Sequence, residues 1–233
     1  MGSTSRSWRE ILHEAAEAVR ERTGRLLLER GSVSPAALEK RLDRTAQEAI
    51  LETLYRRALP VRLVSEEGEE TLGSGGVTLT ADPVDGTTNL ARGLPPSVVS
   101  LSAARGDRQS GVFAALVSDL GSGSTYWADA DRGAFRDGRP IRVSPPLPYR
   151  DGLVSLEVSK LDDLSPMTSL ITGARHIRAA GCAASSLCRV AEGVLDAHVD
   201  ERGSIRATDV SAGLFILAQA GGVWAVDGTR FGD

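Results

Sequence analysis

The chain has 233 residues, 41% hydrophobic and 25% charged, with a formal net charge of -4. This length fits one large globular domain or two small ones, and the mild acidity argues against a nucleic-acid-binding protein, which would carry a basic surplus. Two cysteines give no disulfide framework, and no apolar stretch is long enough to span a bilayer. Residues 1–6 have no apolar core behind them and do not form a signal peptide. We therefore expect a cytoplasmic protein with neither nucleic-acid nor membrane partners.

Two amphipathic helices are predicted at the start of the chain. The first covers residues 7–30, has its apolar residues on one face and ends at Gly31. The second covers residues 34–58, with Ser34 as its N-cap and Pro35 in its first turn.

Short β-rich runs follow, separated by Gly, Asp and Pro. They cover residues 61–64, 77–81, 98–103, 112–117, 125–128 and 141–143. An Asp-Gly pair within residues 136–139 predicts a hairpin turn. The proline-rich segment 145–148 marks a domain boundary.

Strands and helices alternate after that boundary. Strands are predicted at 153–158, 176–179, 195–199 and 223–226, and helices within 161–172 and at 183–192 and 208–219. The whole pattern predicts a mixed α/β protein with two lobes around one cleft. Residues 1–146 would form an α+β lobe with two helices and a mostly antiparallel sheet, and residues 147–233 an α/β lobe.

Acidic residues follow two of the predicted strands and begin the last predicted helix. Glu66 and Glu67 follow the run 61–64, Asp82 and Asp85 follow the run 77–81, and Asp209 lies at the start of the helix 208–219. Asp-Pro and Asp-Gly pairs also form strand-ending turns, which is the purely structural interpretation of the second group.

A cation site is the chemical interpretation of the same residues. Pro83 fixes its own backbone, so Asp82 and Asp85 can converge with the carbonyl of Val84 between them. Carboxylate and carbonyl oxygens are ligands of hard cations such as Mg²⁺. A helix predicted to start in residues 86–89 would offer free N–H groups to a phosphate. Two bare carboxylates about 4 Å apart repel by roughly 4 kcal/mol at an effective dielectric near 20, so a converging cluster favours bound metal.

The segment Asp-Pro-Val-Asp-Gly-Thr-Thr-Asn at residues 82–89 resembles the signature of the inositol monophosphatase family, the lithium-sensitive, magnesium-dependent sugar phosphatases. Further matches lie at the Glu66-Glu67 pair, at 133–138, at 181–184 and at 209–213 with 220–222. The resemblance covers nearly the whole chain. It implies a layered α-β-α-β-α sandwich with a metal cleft between two lobes.

The resemblance also implies roles for single residues. The matches to the family's metal ligands are Glu66, Asp82, the Val84 carbonyl, Asp85 and Asp209. Thr87 matches the residue that, with Glu66, orients and deprotonates the attacking water. By its spacing to Glu66, Asp43 falls at the position of a family acid that lies near a further metal ion. The alternative is that Asp43 is a solvated acid in the middle of a helix.

Substrate contacts are carried over in the same way. Asp85, Gly86 and Thr87 match the phosphate-binding segment, and Asp209 closes the cleft from the other lobe. Residues Gly181, Cys182 and Ala183 match the helix start that touches substrate. Asp200 matches, with a gap, an acid that contacts substrate hydroxyls.

The implied enzyme is a phosphomonoester hydrolase with two or three Mg²⁺ ions, acting on inositol 1-phosphate and also on fructose 1,6-bisphosphate through attack by water, without a covalent intermediate. Family phosphatases of 3′-phosphoadenosine 5′-phosphate tend to have Lys-Glu where this chain has Thr88-Asn89, which favours the inositol branch. The alternative from another class is a catalytically silent relative that binds sugar phosphates or a protein partner. A homodimer is expected, as is common in the family.

Overall fold

The computed structural model describes residues 2–226 and 229–230. The chain begins with two long helices, α1 (Gly2–Leu26) and α2 (Pro35–Arg56). Ser34 caps α2 as predicted, because its Oγ accepts a hydrogen bond from the Ala37 N–H at 3.3 Å. The apolar stripe of α2, from Leu38 to Leu54, is buried against α1 and the neighbouring sheet.

The large sheet has eight strands and lies directly on these two helices. Its strands are β1 (Val61–Ser65), β2 (Gly68–Leu72), β3 (Val77–Asp85), β4 (Val98–Ala104), β5 (Val112–Asp119), β6 (Thr125–Asp129), β7 (Gly133–Arg136) and β8 (Arg139–Pro140). Their order in space is β2-β1-β3-β4-β5-β6-β7-β8. Only β1 and β3 run parallel in this sheet, and every other neighbouring pair is antiparallel.

Two details of this sheet differ from the prediction. Strand β2 was not predicted, because its sequence Gly-Glu-Glu-Thr-Leu is polar and mostly exposed at the sheet edge. The strand predicted at 141–143 is wrong. Instead, the backbone N–H of Ile141 donates one hydrogen bond to the Ala134 carbonyl, and that of Val143 donates one to the Ala220 carbonyl. Both side chains pack against the core.

The opposite face of the large sheet is covered by two helices from the second half of the chain, α5 (Ala183–Ala191) and α6 (Ala207–Gln219). These helices cross closely at Gly213, where a Cβ would lie 2.8 Å from Leu187 Cδ1. Although α6 comes late in the chain, it packs on the large sheet, so the core of the first half is completed by the second.

The small sheet lies beyond α5. It contains β9 (Leu153–Glu157), β10 (His176–Arg178) and β11 (Ala197–Asp200), all parallel, in the order β10-β9-β11. Its outer face packs against Met167 and the short helix α4 (Thr168–Gly173). The layers are therefore α1/α2, large sheet, α5/α6, small sheet and α4, which confirms the predicted α-β-α-β-α sandwich.

One further helix and two further strands are short. Helix α3 (Thr87–Arg92) connects β3 to β4, and strands β12 (Ala225–Val226) and β13 (Thr229–Arg230) form a two-stranded ribbon after α6. The helix predicted within 161–172 begins only at Thr168, after a 3-10 turn at Ser165–Met167. None of the helices in the described ranges is long and apolar enough to cross a membrane.

Candidate active site

The end of β3 carries the first acidic residues. The strand predicted at 77–81 continues to Asp85, so the alternative of a strand-ending turn after residue 81 is wrong, and the register with β4 shifts between Asp82 and Asp85. The Val84 N–H donates to Asp82 Oδ1 at 3.0 Å, which fixes the Asp82 carboxylate within the irregular segment. An irregularity of this kind redirects side chains at the edge of a functional site.

Asp85 joins β3 to α5. Its Oδ2 accepts a hydrogen bond of 2.7 Å from the Ala184 N–H in the first turn of α5, and the Cys182 thiol lies 3.5 Å from its carbonyl oxygen. Gly86 follows with φ +87°, and a Cβ there would lie 2.9 Å from the Pro96 carbonyl oxygen. Only glycine fits this position, because the backbone is left-handed and the space is closed.

Thr87 opens α3 and faces Asp43. Its Oγ1 lies 2.8 Å from Asp43 Oδ1 and 2.8 Å from the Val84 carbonyl oxygen. Since a hydroxyl donates one hydrogen, it satisfies one of these acceptors at a time unless Asp43 carries a proton. Burial is the main reason that the pKa of Asp43 rises to about 6. Asp43 lies in the middle of α2, yet it faces the cleft, so the interpretation as a solvated helix acid is wrong.

Three carboxylates meet in front of this segment. Single oxygens of Glu66, Asp82 and Asp209 lie within 4.8 Å of one another. Glu66 comes from the turn after β1, Asp82 from β3, and Asp209 from the first turn of α6. We call the four acids Glu66, Asp82, Asp85 and Asp209 the acidic wall.

The electrostatics of the acidic wall show that it is not balanced by protein cations. Burial, followed by the charge of Asp85, raises the pKa of Asp82 well above its ordinary value. Burial also raises the pKa of Asp85 to about 7, and burial with the charge of Asp209 raises the pKa of Glu66. The one direct ion pair that the described residues make with this wall is exposed, with Arg206 Nη1 2.8 Å from Glu66 Oε1. Converging oxygen ligands with excess negative charge fit a hard divalent cation.

The acidic wall lines one side of a cavity of about 500 Å³. Gly181, Cys182 and Ala183 also line it, as do Gly86 and Thr87, so the structure brings these predicted substrate contacts to one place. The two cysteines of the chain are buried free thiols.

Asp200 is the predicted site residue that the structure does not bring to the cavity. Its carboxylate is held by Arg202, and Arg202 lines the cavity instead. Burial favours the protonated form of Asp200, but the hydrogen bonds from Arg202 outweigh this and lower its pKa.

Two more lining residues, Lys160 and Glu157, were missed by sequence reasoning. Like Arg202, they lie at or just beyond the carboxyl ends of parallel strands, where ligands commonly bind in α/β proteins. Position after a predicted strand is therefore the sequence signal by which these residues could have been found. We call Lys160 and Arg202 the basic wall.

Known proteins resemble this chain in sequence and in fold. The sequence profile of the inositol monophosphatase family matches residues 7–229 of this chain. A protein named fructose-1,6-bisphosphatase/inositol-1-monophosphatase from Archaeoglobus fulgidus is 35% identical over 198 residues, covering 83% of this chain and 73% of that protein. Inositol monophosphatase 1 from Sus scrofa is 30% identical over 229 residues, covering 91% of this chain and 79% of that protein. The crystal structure of extragenic suppressor protein suhB from Bartonella henselae shares the fold, with a TM-score of 0.81 at 24% identity, covering 94% of this chain and 87% of that one.

Proposed function

Because the chain belongs to the inositol monophosphatase family and is thus a phosphomonoester hydrolase, we propose that it removes phosphate from inositol 1-phosphate and fructose 1,6-bisphosphate with the help of Mg²⁺. The single observation that carries this proposal is the convergence of Glu66, Asp82 and Asp209 beside the Thr87–Asp43 pair. The two substrates are the ones named for the relative from Archaeoglobus fulgidus.

The acidic wall and the Val84 carbonyl are the groups that would hold two or three Mg²⁺ ions. When bound, such ions lower the pKa of water and neutralise charge on the phosphoryl group. The rigidity of the wall supports this role, because Asp82 and Asp85 are both held by backbone N–H groups. Mg²⁺ accepts carboxylates and substrate phosphate as oxygen ligands, and it keeps part of its water shell.

Three residues act on the attacking water, namely Thr87, Asp43 and Glu66. The Thr87 hydroxyl orients the water, and the proton moves towards Asp43 and Glu66, whose pKa values are raised mainly by burial. Asp43, with a pKa of about 6, accepts a proton near neutral pH and releases it afterwards. The backbone N–H groups of Gly86 and Thr87 would bind phosphate oxygens. No nucleophilic side chain attacks phosphorus in this scheme.

A three-substrate assay tests the proposal. Purified protein with Mg²⁺ is given inositol 1-phosphate, fructose 1,6-bisphosphate or 3′-phosphoadenosine 5′-phosphate, and phosphate release is measured. We expect turnover of the first two. Release from the third alone would move the chain to another branch of the family, and no Mg²⁺-dependent release from any of them would refute the proposal.

Thr87→Val tests the assigned proton route. Loss of the hydroxyl is expected to lower kcat by about 10²–10⁴-fold, the usual range for a general acid–base group. Thr87→Ser keeps the hydroxyl and is expected to keep most of the activity. Equal activity of the valine variant and the wild type would exclude Thr87 from the mechanism.

We also propose that the protein is a cytoplasmic, lithium-sensitive homodimer. The free, buried state of both cysteines supports a reducing compartment. Support for a dimer comes from Leu94 and Val194, which are 57% and 49% exposed and line a second cavity, outside the acidic wall. Sedimentation of the wild type and of Val194→Asp tests this surface, and a monomeric wild type would contradict the proposed dimer.

Inhibition of phosphate release by LiCl, with KCl as control, tests the lithium sensitivity.

A further inference from the structure

The basic wall is built by two neighbouring strands of the small sheet. Strands β9 and β11 run parallel, with Glu157 opposite Asp200 at their carboxyl ends. Lys160 lies three residues beyond the end of β9, and Arg202 lies two residues beyond the end of β11. The strand pairing therefore places both cations at the same edge of the small sheet, and both line the cavity that contains the acidic wall.

Arg202 is fixed in place by Asp200. Its Nε and Nη2 lie 3.0 and 2.6 Å from the two oxygens of the Asp200 carboxylate, whose side chain is only 5% exposed. This two-point pair holds the planar guanidinium rigidly. Nη1 has no hydrogen-bond partner within the described ranges, so one nitrogen of a pre-oriented guanidinium stays available for a ligand in the cavity.

Lys160 differs from Arg202 in its surroundings. It is exposed and makes no ion pair with any residue that the structure describes. Its φ of +64° is rare for a residue with a side chain. Such a conformation costs free energy and tends to persist where function requires it.

The two walls suit two different groups of a substrate. A reacting phosphate belongs at the acidic wall, where bound cations would receive it, so Lys160 and the Nη1 group of Arg202 remain available to another group of the substrate. Glu157 also lines the cavity, but it is 3% exposed and its Oε1 accepts the Ser159 N–H at 3.0 Å. The accessible charge at the edge of the small sheet is therefore positive and matches an anion.

We propose that Lys160 and Arg202 bind a second phosphate group of the substrate, so that the enzyme selects sugar bisphosphates over monophosphates that carry the same reacting ester. This inference rests on the proposed phosphatase function. It names a substrate class and two specificity-determining residues. Lys160 contributes an adjustable charge, and Arg202 contributes an oriented N–H donor.

A matched pair of substrates tests the proposal. Fructose 1,6-bisphosphate and fructose 1-phosphate lose the same phosphate and differ only in the phosphate on C6. We expect Lys160→Met to lower the ratio of their kcat/KM values about tenfold or more, as expected for loss of a charged hydrogen bond. Hydrolysis of fructose 1-phosphate should fall by less than hydrolysis of fructose 1,6-bisphosphate, because fructose 1-phosphate lacks the phosphate that the basic wall would bind.

Two further variants keep the test interpretable. Arg202→Met would leave the buried Asp200 unpaired, so Arg202→Lys is used to keep the charge and remove the two-point fork. It should lower the same ratio severalfold. Lys40→Met is the matched control, because Lys40 is the other lysine of the chain and is exposed on α2. This control removes the same charge and should leave the ratio unchanged.

The outcomes separate this proposal from the proposed function. An equal fall for both fructose phosphates would mean that the cations only balance the acidic wall, and an unchanged ratio in Lys160→Met would mean that they bind nothing; either result overturns the proposal. Calorimetric binding of both sugars in the presence of Ca²⁺ provides a readout without turnover. A bisphosphate that binds more tightly than fructose 1-phosphate only when Lys160 is present supports the subsite, even if the wild type hydrolyses neither.

Discussion

The two walls of the cleft are built in different ways. The acidic wall comes from the turn after β1, from β3 in the large sheet and from α6, which packs on that sheet, and Asp82 within it is only 3% exposed. The basic wall comes from chain segments that follow the strands of the small sheet, and Lys160 is exposed. Buried residues held by backbone hydrogen bonds suit chemistry that needs fixed geometry, whereas exposed residues on loops suit selection among substrates. We therefore expect substitutions in the acidic wall to affect every substrate and those in the basic wall to affect only some.

Asp85→Asn should have the largest effect and would break the acidic wall. We expect a loss of activity greater than the roughly 10–100-fold that follows removal of an outer partner of a metal ligand. The thermal stability measured without metal should be maintained or increased, because one of several repelling carboxylates loses its charge. Phosphate release and thermal unfolding with and without Mg²⁺ measure both effects. The exposed Asp131→Asn serves as the control, and full activity of Asp85→Asn on all substrates would contradict the ligand assignment.

Asp209→Asn should have a smaller effect, because Asp209 approaches the site from the first turn of α6, in the second half of the chain. We expect the Mg²⁺ concentration at half-maximal activity to rise about tenfold, with the fold intact. Asp209 Oδ2 also accepts the Arg206 N–H at 3.0 Å, a bond that an asparagine oxygen preserves. Titration of activity with Mg²⁺ provides the measurement. An unchanged Mg²⁺ dependence would show that Asp209 on α6 is not a metal ligand and that the ligands come from the large sheet alone.

The stability of the metal-free protein should depend on pH through the acidic wall. Burial raises the pKa of Asp85 from 3.8 to about 7, so its contribution to stability is present below pH 3.8 and is lost as the pH rises through 7. Asp43, whose pKa burial raises to about 6, acts in the same direction. Mg²⁺ binds the ionised carboxylates, so the increase in Tm on adding Mg²⁺ should grow between pH 5 and pH 8. In Asp85→Asn this growth should be reduced, and a pH-independent Mg²⁺ effect in the wild type would contradict the coupling.

Ser211→Ala should have the smallest effect. Ser211 lies two residues after Asp209 and ties α6 to the large sheet, because it donates to Gln109 Oε1 at 2.9 Å and lies 2.8 Å from the buried hydroxyl of Ser102. Its removal leaves buried polar groups unpaired and should lower the free energy of unfolding by about 1–3 kcal/mol. The half-maximal Mg²⁺ concentration should rise by no more than about threefold. Denaturant unfolding checks the first value, with the exposed Ser110→Ala as control, and a neutral result would show that α6 is positioned by apolar packing alone.

The acidic wall could be predicted from the sequence because its residues sit in one short signature and at recognisable element ends. The layered fold could be predicted for a similar reason, since amphipathic stripes such as that of α2 reflect burial directly. The continuation of β3 through Asp85 could not, because Asp-Pro and Asp-Gly are usual turn formers and only pairing with β4 overrides that preference. Tertiary pairing of this kind is not visible in local sequence.

The basic wall escaped sequence reasoning for a different reason. The family resemblance predicts that Asp200 contacts substrate hydroxyls, whereas in the structure Arg202 binds the Asp200 carboxylate and itself lines the cavity. Lys160 lies outside any signature. Its position follows from the register of β9 with β11, which depends on residues far apart in the chain. Specificity residues on loops are therefore harder to predict than ligands on strands.

The late position of α6 has a consequence for how the protein is made. Glu66 of the acidic wall and its ion-pair partner Arg206, which lies just before Asp209, are 140 residues apart in the chain, and such long-range contacts form slowly. During synthesis the ribosome releases β3 long before α6, so a nascent chain carries closely spaced carboxylates without the residue that completes their ligand set. Selective binding of metal would therefore require that α6 has been released and has docked on the large sheet. An interrupted chain would hold most of the signature residues and none of the finished site.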